Sequence, residues 1–321
     1  HGKTTTSAMI VTALEAAGFE PSYAIGSELT GRGSGARLGG DIWVIEADES
    51  DGSFLNYSPE LAVVTNIEFD HADFYPDPEA YFEAFAAFAG RIRPSGRLIA
   101  CAADKGADAL MERLRAAPSG PAVTAYGAAG GWRDLGLAGD HLALNAEAAG
   151  LAAQAFGADP ALVRAGLAAF AGAARRFEPR GRAGGVAVYD DYAHHPTEIA
   201  ATLAAARRLA GTSGRLLVVF QPHLYSRTKQ FAAAFGRALG AADRVWLLDV
   251  YGAREAPMAG VDSGLIASAM PGGAAALARD RAAVPPAVAA AARPGDIVLT
   301  MGAGDVTELG PAIVAELEAR G

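Results

Sequence analysis

Apolar and polar residues alternate in blocks along this chain, and the blocks have the lengths of buried strands and amphipathic helices. Short continuous apolar runs are typical of strands buried on both faces, and longer segments with apolar residues three or four positions apart are typical of helices. The predicted strands are 41–45, 61–66, 97–101, 123–126, 186–189, 215–220, 244–250 and 297–301. The predicted helices are 7–17, 78–89, 141–156, 160–169, 197–209, 226–239, 284–292 and 306–320. This order of elements predicts an α/β protein with mainly parallel sheets.

The chain begins with a segment that is typical of a phosphate-binding loop opening a helix. Residues 1–7 have the sequence HGKTTTS, which matches the end of the pattern G-x-x-x-x-G-K-[ST]. Backbone N–H groups at a helix N-terminus point at phosphate oxygens, and the helix dipole favours their negative charge. Lys3 would reach the β- and γ-phosphates, and the Thr4 hydroxyl would bind Mg²⁺. An ordinary helix start capped by threonine is the alternative interpretation.

Acidic and histidine side chains follow the next two predicted strands. Glu46 comes directly after strand 41–45 and is one of five acids within 41–51, and His71 follows strand 61–66. Parallel α/β sheets bind ligands at the carboxyl ends of their strands, and an acid there holds the nucleotide's Mg²⁺ in phosphate-loop enzymes. A solvated acidic loop and a structural histidine are the alternatives.

Composition narrows the class of protein. Hydrophobic residues make up 51% and charged residues 20%, which is typical of a globular chain. The 36 acids and 27 bases give a formal charge of −9, which argues against a nucleic-acid partner. No apolar segment is long enough to cross a membrane, and the single cysteine, Cys101, gives no disulfide framework. We expect a cytoplasmic protein that binds neither nucleic acid nor membrane.

The chain is long enough, at 321 residues, for two domains. Composition turns to glycine and arginine around 181–185, which is typical of a junction. Beyond it, polar clusters again follow the predicted strands, at 190–196, 221–228 and 302–305. We predict a phosphate-loop ATPase domain at 1–174 and a doubly wound, Rossmann-like domain at 175–321.

Six segments together resemble the Mur ligases, the ATP-dependent amide-forming enzymes of peptidoglycan precursor synthesis. The segments are HGKTTT (1–6), EADESDGSFL (46–55), VTNIEFDH (64–71), RRFE (175–178), DDYAHHPTE (190–198) and FQPHLYSRT (220–228). Each is weak alone, but six in this order are specific, and the resemblance covers essentially the whole chain. It implies the central ATPase domain and the C-terminal domain of a three-domain family. We expect the chain to be a fragment that lacks the N-terminal domain, which grips the UDP part of the substrate.

The resemblance also implies a role for each matching residue. The implied nucleotide-binding residues are Gly2, Lys3, Thr4, Thr5, Asn145, Arg176 and Asp191. The implied ligands of two Mg²⁺ ions are Thr4, Glu46 and His71. The implied catalytic residues are Lys3, Glu46, His71, Arg176, His194 and His195, and the implied substrate-binding residues are Tyr192, His223 and Arg227. Among these, Asn145 would contact adenine, Asp191 the ribose, Arg176 the phosphates and Arg227 the carboxylate of alanine.

The resemblance implies that L-alanine is joined to the carboxylate of UDP-N-acetylmuramate, at the expense of ATP and through an acyl phosphate. A monomer or weak homodimer is expected, and this chain alone is expected to show little ligase activity. One alternative is a ligase that attaches a preformed tripeptide to the same sugar carboxylate. The other is a non-catalytic nucleotide-binding switch.

Three departures from the family pattern are visible. Leu142 stands where many relatives have asparagine, and Leu224 stands where many alanine-adding members have arginine. The second departure leaves Arg227 as the expected anchor of the alanine carboxylate. No lysine lies between Lys3 and Lys105, so the carbamylated lysine of several sister ligases has no counterpart here.

Overall fold

The computed structural model of the protein describes residues 1–128, 130–137, 139–273 and 275–320. The chain forms two compact units, His1–Ala174 and Arg175–Gly321. Each unit combines helices with parallel strands, so the predicted α/β class is confirmed. Within the described residues, no helix has the length and apolar character needed to span a bilayer.

The first unit holds, in its described part, two three-stranded sheets. The strands are β1 (Ser22–Ala24), β2 (Ala36–Arg37), β3 (Trp43–Ile45), β4 (Leu61–Val64), β5 (Arg97–Cys101) and β6 (Ala122–Tyr126). One sheet has the order β2-β1-β3, with β1 and β3 parallel and β1 and β2 antiparallel. The other is all parallel, in the order β4-β5-β6. The helices are α1 (Lys3–Ala16), α2 (Pro78–Ala89), α3 (Lys105–Ala116), α4 (Asp140–Ala155) and α5 (Pro160–Ala168).

Helix α1 lies in the core of the first unit, and nine of its fourteen residues are buried. Met9 and Leu14 are fully buried and pack in one core with Val44 of β3 and with residues of α4 and α5. A cavity of about 600 Å³ lies beside α1, between β3 of one sheet and β4 of the other. The burial of α1 fixes its N-terminus against the carboxyl ends of both strands, which is where the candidate site lies.

The second unit is built on one six-stranded sheet in the order β11-β10-β9-β12-β8-β7. Its strands are β7 (Glu178–Ala183), β8 (Val186–Asp191), β9 (Leu216–Phe220), β10 (Arg244–Leu247), β11 (Ala275–Leu277) and β12 (Ile297–Met301). All neighbours are parallel except β7, which pairs antiparallel with β8. The helices are α6 (Pro196–Ala210), α7 (Tyr225–Leu239), α8 (Gly264–Ala269), α9 (Val284–Ala291) and α10 (Leu309–Glu318).

The central strands of this sheet are buried on both faces. Leu216, Val218 and Phe220 of β9 belong to the core that contains α6, α7 and α8. Leu217 and Val219 belong to the core that contains α9 and α10. Because alternate residues of a strand point to opposite faces, helices cover both sides of the sheet, and the predicted doubly wound domain is confirmed.

The structure differs from the sequence expectations in several places. The stretch 181–185, predicted as a domain junction, is part of a β-hairpin, since β7 pairs with β8 and positive φ angles at Gly184 and Gly185 form its turn. That prediction is wrong, and the glycines serve the turn. The sequence analysis also missed β1, β2, β7, β11, α3 and α8, which are short or carry few apolar residues. The predicted helix 306–320 begins as a 3-10 turn, Asp305–Glu308, and becomes α-helical at Leu309.

Candidate active site

The N-terminus of α1 has the geometry of an anion-binding helix start. Gly2 precedes the helix with φ 81°, a left-handed conformation, and as the N-cap residue it has no side chain that could cap α1. A Cβ atom at Gly2 would lie 2.9 Å from Asn145 Oδ1, so both the backbone angle and the space favour glycine. Thr5, the second of the three threonines of the first turn, is buried. Backbone N–H groups at such a helix start are the feature that phosphate-binding loops use.

Glu46 bonds directly to this helix start. It follows β3, and its Oε1 accepts a hydrogen bond of 2.7 Å from the Thr4 hydroxyl. Its Oε2 accepts a bond of 2.7 Å from the backbone N–H of Gly26. The sequence placed Glu46 at the end of a strand, and the structure brings that strand end to the first turn of α1.

Lys3 is held by a carboxylate that the sequence analysis did not single out. Its Nζ lies 2.6 Å from Glu49 Oε1 and 2.5 Å from Oε2, and 3.9 Å from Asp48 Oδ1. Burial opposes ionisation of Glu49, but His71 and Lys3 outweigh it and lower its pKa to about 2. Burial likewise acts to lower the pKa of Lys3, and Glu49 outweighs it, so that this pKa is raised. Glu49 belongs to the acidic run after β3, where spacing alone does not show which acid turns inward.

His71 lies on the other side of Glu49. Its Nε2 is 3.7 Å from Glu49 Oε1 and 3.8 Å from Asp70 Oδ2. The residue has φ 56°, a strained angle for a side chain with a Cβ, and its backbone N–H bonds Asp70 Oδ1 at 2.8 Å. The structure therefore brings Lys3, Glu46 and His71 into one site.

The residues after β4 hold the start of the chain in place. The Thr65 hydroxyl and the Asn66 side-chain N–H donate to the carbonyl oxygen of His1, at 2.6 and 2.8 Å. These contacts fix the backbone that leads into Gly2. Both residues belong to the VTNIEFDH segment, but the sequence analysis gave them no role of their own.

The residues present fit a magnesium ion at Thr4 and Glu46. The two oxygens are 2.7 Å apart, close to the ~2.9 Å between neighbouring ligands of an octahedral ion with ~2.1 Å bonds. At His71 the fit depends on oxygens from the neighbouring carboxylates, since imidazole suits Mg²⁺ less well than oxygen does. The His71 Nδ1 atom is buried and has no hydrogen-bond partner in the described part of the chain.

In the second unit, Arg175 and Arg176 lie beside Tyr192, each guanidinium 5.0 Å from the ring centroid. Asp191 is buried, and its two oxygens accept the backbone N–H groups of Phe177 and Ala193. Burial raises the pKa of Asp191 to about 6, against the opposing effect of Arg176. In this conformation Asp191 holds the loop that carries Arg176, and a contact with ribose stays a prediction.

The three candidate histidines have different surroundings. His195 is 2% exposed and forms the N-cap of α6, with its ring accepting from the N–H of Thr197 in a capping box with Glu198. A ring nitrogen that accepts a helix N–H is occupied, so the structure gives His195 a structural use. The rings of His194 and His223 are adjacent in an edge-to-face arrangement, with centroids 6.1 Å apart.

Arg227 is a buried cation of the second unit and lies in a cluster with His223 and Tyr251. It is 5% exposed, and its Nη1 lies 3.4 Å from His223 Nδ1. The His223 ring in turn stacks on Tyr251, with centroids 5.8 Å apart. Leu224, where the resemblance implies an arginine, is itself buried and has φ 70°. Tyr251 is a member of this cluster that the sequence analysis missed.

The fold and the site together define a phosphate-binding α/β protein of two units. Its first unit carries a helix start of the phosphate-binding type, which is bordered by strand-end carboxylates and a histidine. Comparison with known proteins identifies the family. The model for the "Mur ligase middle domain" matches residues 1–138, and the model for the "Mur ligase, glutamate ligase domain" matches residues 175–304. The chain belongs to the Mur ligase family.

Curated relatives match along the whole chain. A "UDP-N-acetylmuramate--L-alanine ligase" of Mycobacterium sp. (strain JLS) is 52% identical over an alignment of 353 positions, gaps included, which covers 100% of this chain and 72% of the relative. One of the same name from Kineococcus radiotolerans is 51% identical, covering 100% of this chain and 73% of the relative. The crystal structure of UDP-N-acetylmuramate-alanine ligase from Thermotoga maritima superposes with a TM-score of 0.76 at 23% identity, covering 100% of this chain and 74% of that one. At that identity the structural likeness shows the fold.

Proposed function

We propose that this protein is an ATP-dependent ligase that joins L-alanine to the carboxylate of UDP-N-acetylmuramate in peptidoglycan precursor synthesis. Relatives of that name, at 50% identity and above, support the choice of substrates. The observation that carries the proposal is the bond from Thr4 to Glu46 beside Lys3, which joins a strand-end carboxylate to the helix start that would receive the triphosphate. Since the reaction consumes ATP, we propose that the protein acts in the cytoplasm. We also propose that it is a monomer or a weak homodimer.

We propose a separate domain role for each of the two units. We assign residues 1–174 to the ATPase domain and 175–321 to the C-terminal ligase domain. The two family matches fall within the two compact units, which supports this assignment. In the first domain, Gly2, Lys3, Thr4 and Thr5 would hold the phosphates, and Asn145 the adenine.

The chemistry needs activation because a carboxylate oxygen is a poor leaving group. In the proposed route the substrate carboxylate attacks the γ-phosphorus of ATP, the bond to ADP breaks, and an acyl phosphate forms. The neutral amine of alanine then attacks the acyl carbon and phosphate leaves with the bonding electrons. The amine proton passes to a base. His194 and His223 are the better candidates for that base, since the ring of His195 caps a helix.

The proposed reaction brings together the triphosphate and the carboxylates of the two substrates, and these anions repel one another. Two unit negative charges ~4 Å apart repel by roughly 4 kcal/mol at an effective dielectric of ~20. When bound, Mg²⁺ would neutralise phosphate charge at Thr4 and Glu46, and a second ion would do so at His71. Lys3 would bind the β- and γ-phosphates, and Arg176 is a second cation that we propose for binding phosphate. These residues position charged groups, which is the main protein contribution in phosphoryl transfer.

The proposal is tested by the choice of acceptor. ADP release is measured with Mg·ATP and UDP-N-acetylmuramate, and either L-alanine or the tripeptide of the recycling ligases is added. The assay uses residues 1–321 and, in parallel, the same residues joined to the N-terminal UDP-binding domain that the resemblance implies. We expect release that depends on L-alanine and on the sugar nucleotide in the second protein, and little release from residues 1–321 alone. Release that needs the tripeptide would establish the alternative ligase, and release that needs neither would indicate a simple ATPase.

We expect Arg227→Lys to raise the KM for L-alanine by about 10- to 100-fold with little change in the KM for ATP. Arginine binds a carboxylate through two parallel N–H bonds, which a lysine does not reproduce, and a lost charge-assisted pair is worth about 1.5–3 kcal/mol. Arg227 is buried beside His223, so its position is defined. Steady-state kinetics with each substrate varied separates the two constants. Arg237→Lys, a matched change near the end of the same helix, should alter neither.

A further inference from the structure

Glu49 joins two residues of the candidate site that have no direct bond to each other. Its carboxylate lies within 2.6 Å of Lys3 Nζ through both oxygens and 3.7 Å from His71 Nε2 through Oε1. The residue is 7% exposed, whereas the side chain of Asp48, one position earlier, is 58% exposed. Glu49 is therefore a built part of the site.

The backbone of Glu49 is fixed by a contact separate from those of its carboxylate with Lys3 and His71. The Tyr75 hydroxyl donates to the Glu49 carbonyl oxygen at 2.6 Å. The Glu49 carboxylate can consequently change partner by side-chain rotation, without movement of the loop.

The charges around Lys3 make such a change of partner necessary. Lys3 interacts electrostatically with Glu46, Asp48 and Glu49, so one positive and three negative charges leave the group at −2. A metal-free triphosphate would have to break the contact between Lys3 and Glu49 and then lie beside an uncompensated carboxylate. A divalent cation at His71 would give that carboxylate a new partner, since carboxylate oxygens are ligands that Mg²⁺ prefers.

We propose that Glu49 is a positioning residue with two states: it holds Lys3 while the site is empty, and it turns to the His71 side when a metal–triphosphate complex binds. The inference rests on the proposed function in one respect, namely that this site binds Mg·ATP. It adds a residue to which no role has been assigned. Its consequence is that Glu49 makes nucleotide binding depend on the divalent cation.

The test is calorimetric titration of residues 1–321 with ATP, in EDTA and in saturating Mg²⁺, for the wild type and Glu49→Gln. Removing the charge frees Lys3, so metal-free ATP should bind about tenfold tighter, as expected for the loss of one competing charge-assisted contact. The ratio of the metal-free Kd to the Mg²⁺ Kd should fall by about tenfold or more. Asp48→Asn, which removes the same charge at an exposed position 3.9 Å from Lys3, should change the ratio by less than about twofold.

The outcomes separate the inference from the proposed function. An unchanged ratio in Glu49→Gln, or an equal change in Asp48→Asn, would overturn the role of Glu49 while Mg·ATP still binds to the wild type. No binding of Mg·ATP by the wild type would count against the proposed function itself. Thermal melting shows whether the variants fold. If Glu49→Gln does not fold, Glu49→Asp, whose shorter side chain weakens the contact with Lys3, should shift the ratio in the same direction by a smaller factor.

Discussion

Lys3→Ala should lower ADP release by on the order of 10³-fold or more, similar to the loss of an arginine that stabilises the same phosphates in other phosphoryl-transfer enzymes. Lys3 is the lysine at the helix start, and its Nζ is already placed by Glu49 within the site. Turnover is measured with UDP-N-acetylmuramate, L-alanine and Mg·ATP in residues 1–321 joined to the UDP-binding domain that the resemblance implies. Binding of Mg·ATP is measured by calorimetry on residues 1–321, where it should weaken as well.

Two further variants make this result specific. Glu46→Ala should cause a comparable loss, because it removes the carboxylate that shares the proposed metal with Thr4. Lys105→Ala, the same substitution at an exposed lysine that begins α3, should leave turnover unchanged. Near-normal turnover in Lys3→Ala, with a folded protein, would contradict the assignment of the phosphate-binding site.

The sequence predicted the buried parts of the fold best. Strands 97–101 and 297–301 have the predicted bounds in the structure, because continuous apolar runs at the centre of a sheet leave no other arrangement. Strand β7 was missed, since its sequence EPRGRA has no apolar alternation and its conformation comes from pairing with β8. Edge strands are decided by their neighbours, and a single sequence does not show these.

The sequence predicted those residues of the candidate site whose positions are set by the ends of strands. Glu46 and His71 follow predicted strands, and the structure brings both to the start of α1, as the rule for parallel sheets requires. A place for Glu49 in the site was not predicted from the sequence, because its inward orientation depends on the turn after β3. His195 is the opposite case: the spacing of His195 and Glu198 matches a capping box, a local signal that competes with the catalytic interpretation.

The second large effect concerns stability. Asp190→Ala should destabilise the second unit by about 3–5 kcal/mol, the range found when one partner of a buried ion pair is removed. Asp190 is fully buried at the end of β8, and it accepts hydrogen bonds from Arg175 Nε at 3.0 Å, Thr300 Oγ1 at 2.6 Å and Thr307 Oγ1 at 2.9 Å. Removal of the carboxylate takes away the acceptor of Arg175 Nε and of both hydroxyls, although Arg175 Nη2 keeps its bond to the Gly302 carbonyl oxygen.

Thermal unfolding followed by circular dichroism measures this effect. At roughly 2–4 °C per kcal/mol for a unit of this size, the midpoint should fall by roughly 10 °C. Asp249→Ala, an exposed acid just after β10, should stay within about 0.5 kcal/mol of the wild type. Asp190→Asn, which keeps an acceptor oxygen but loses the charge, should lie between the two. A midpoint for Asp190→Ala equal to that of Asp249→Ala would mean that water or a rearranged Arg175 replaces the carboxylate. The hydrogen bonds to Asp190 would then contribute no net stability.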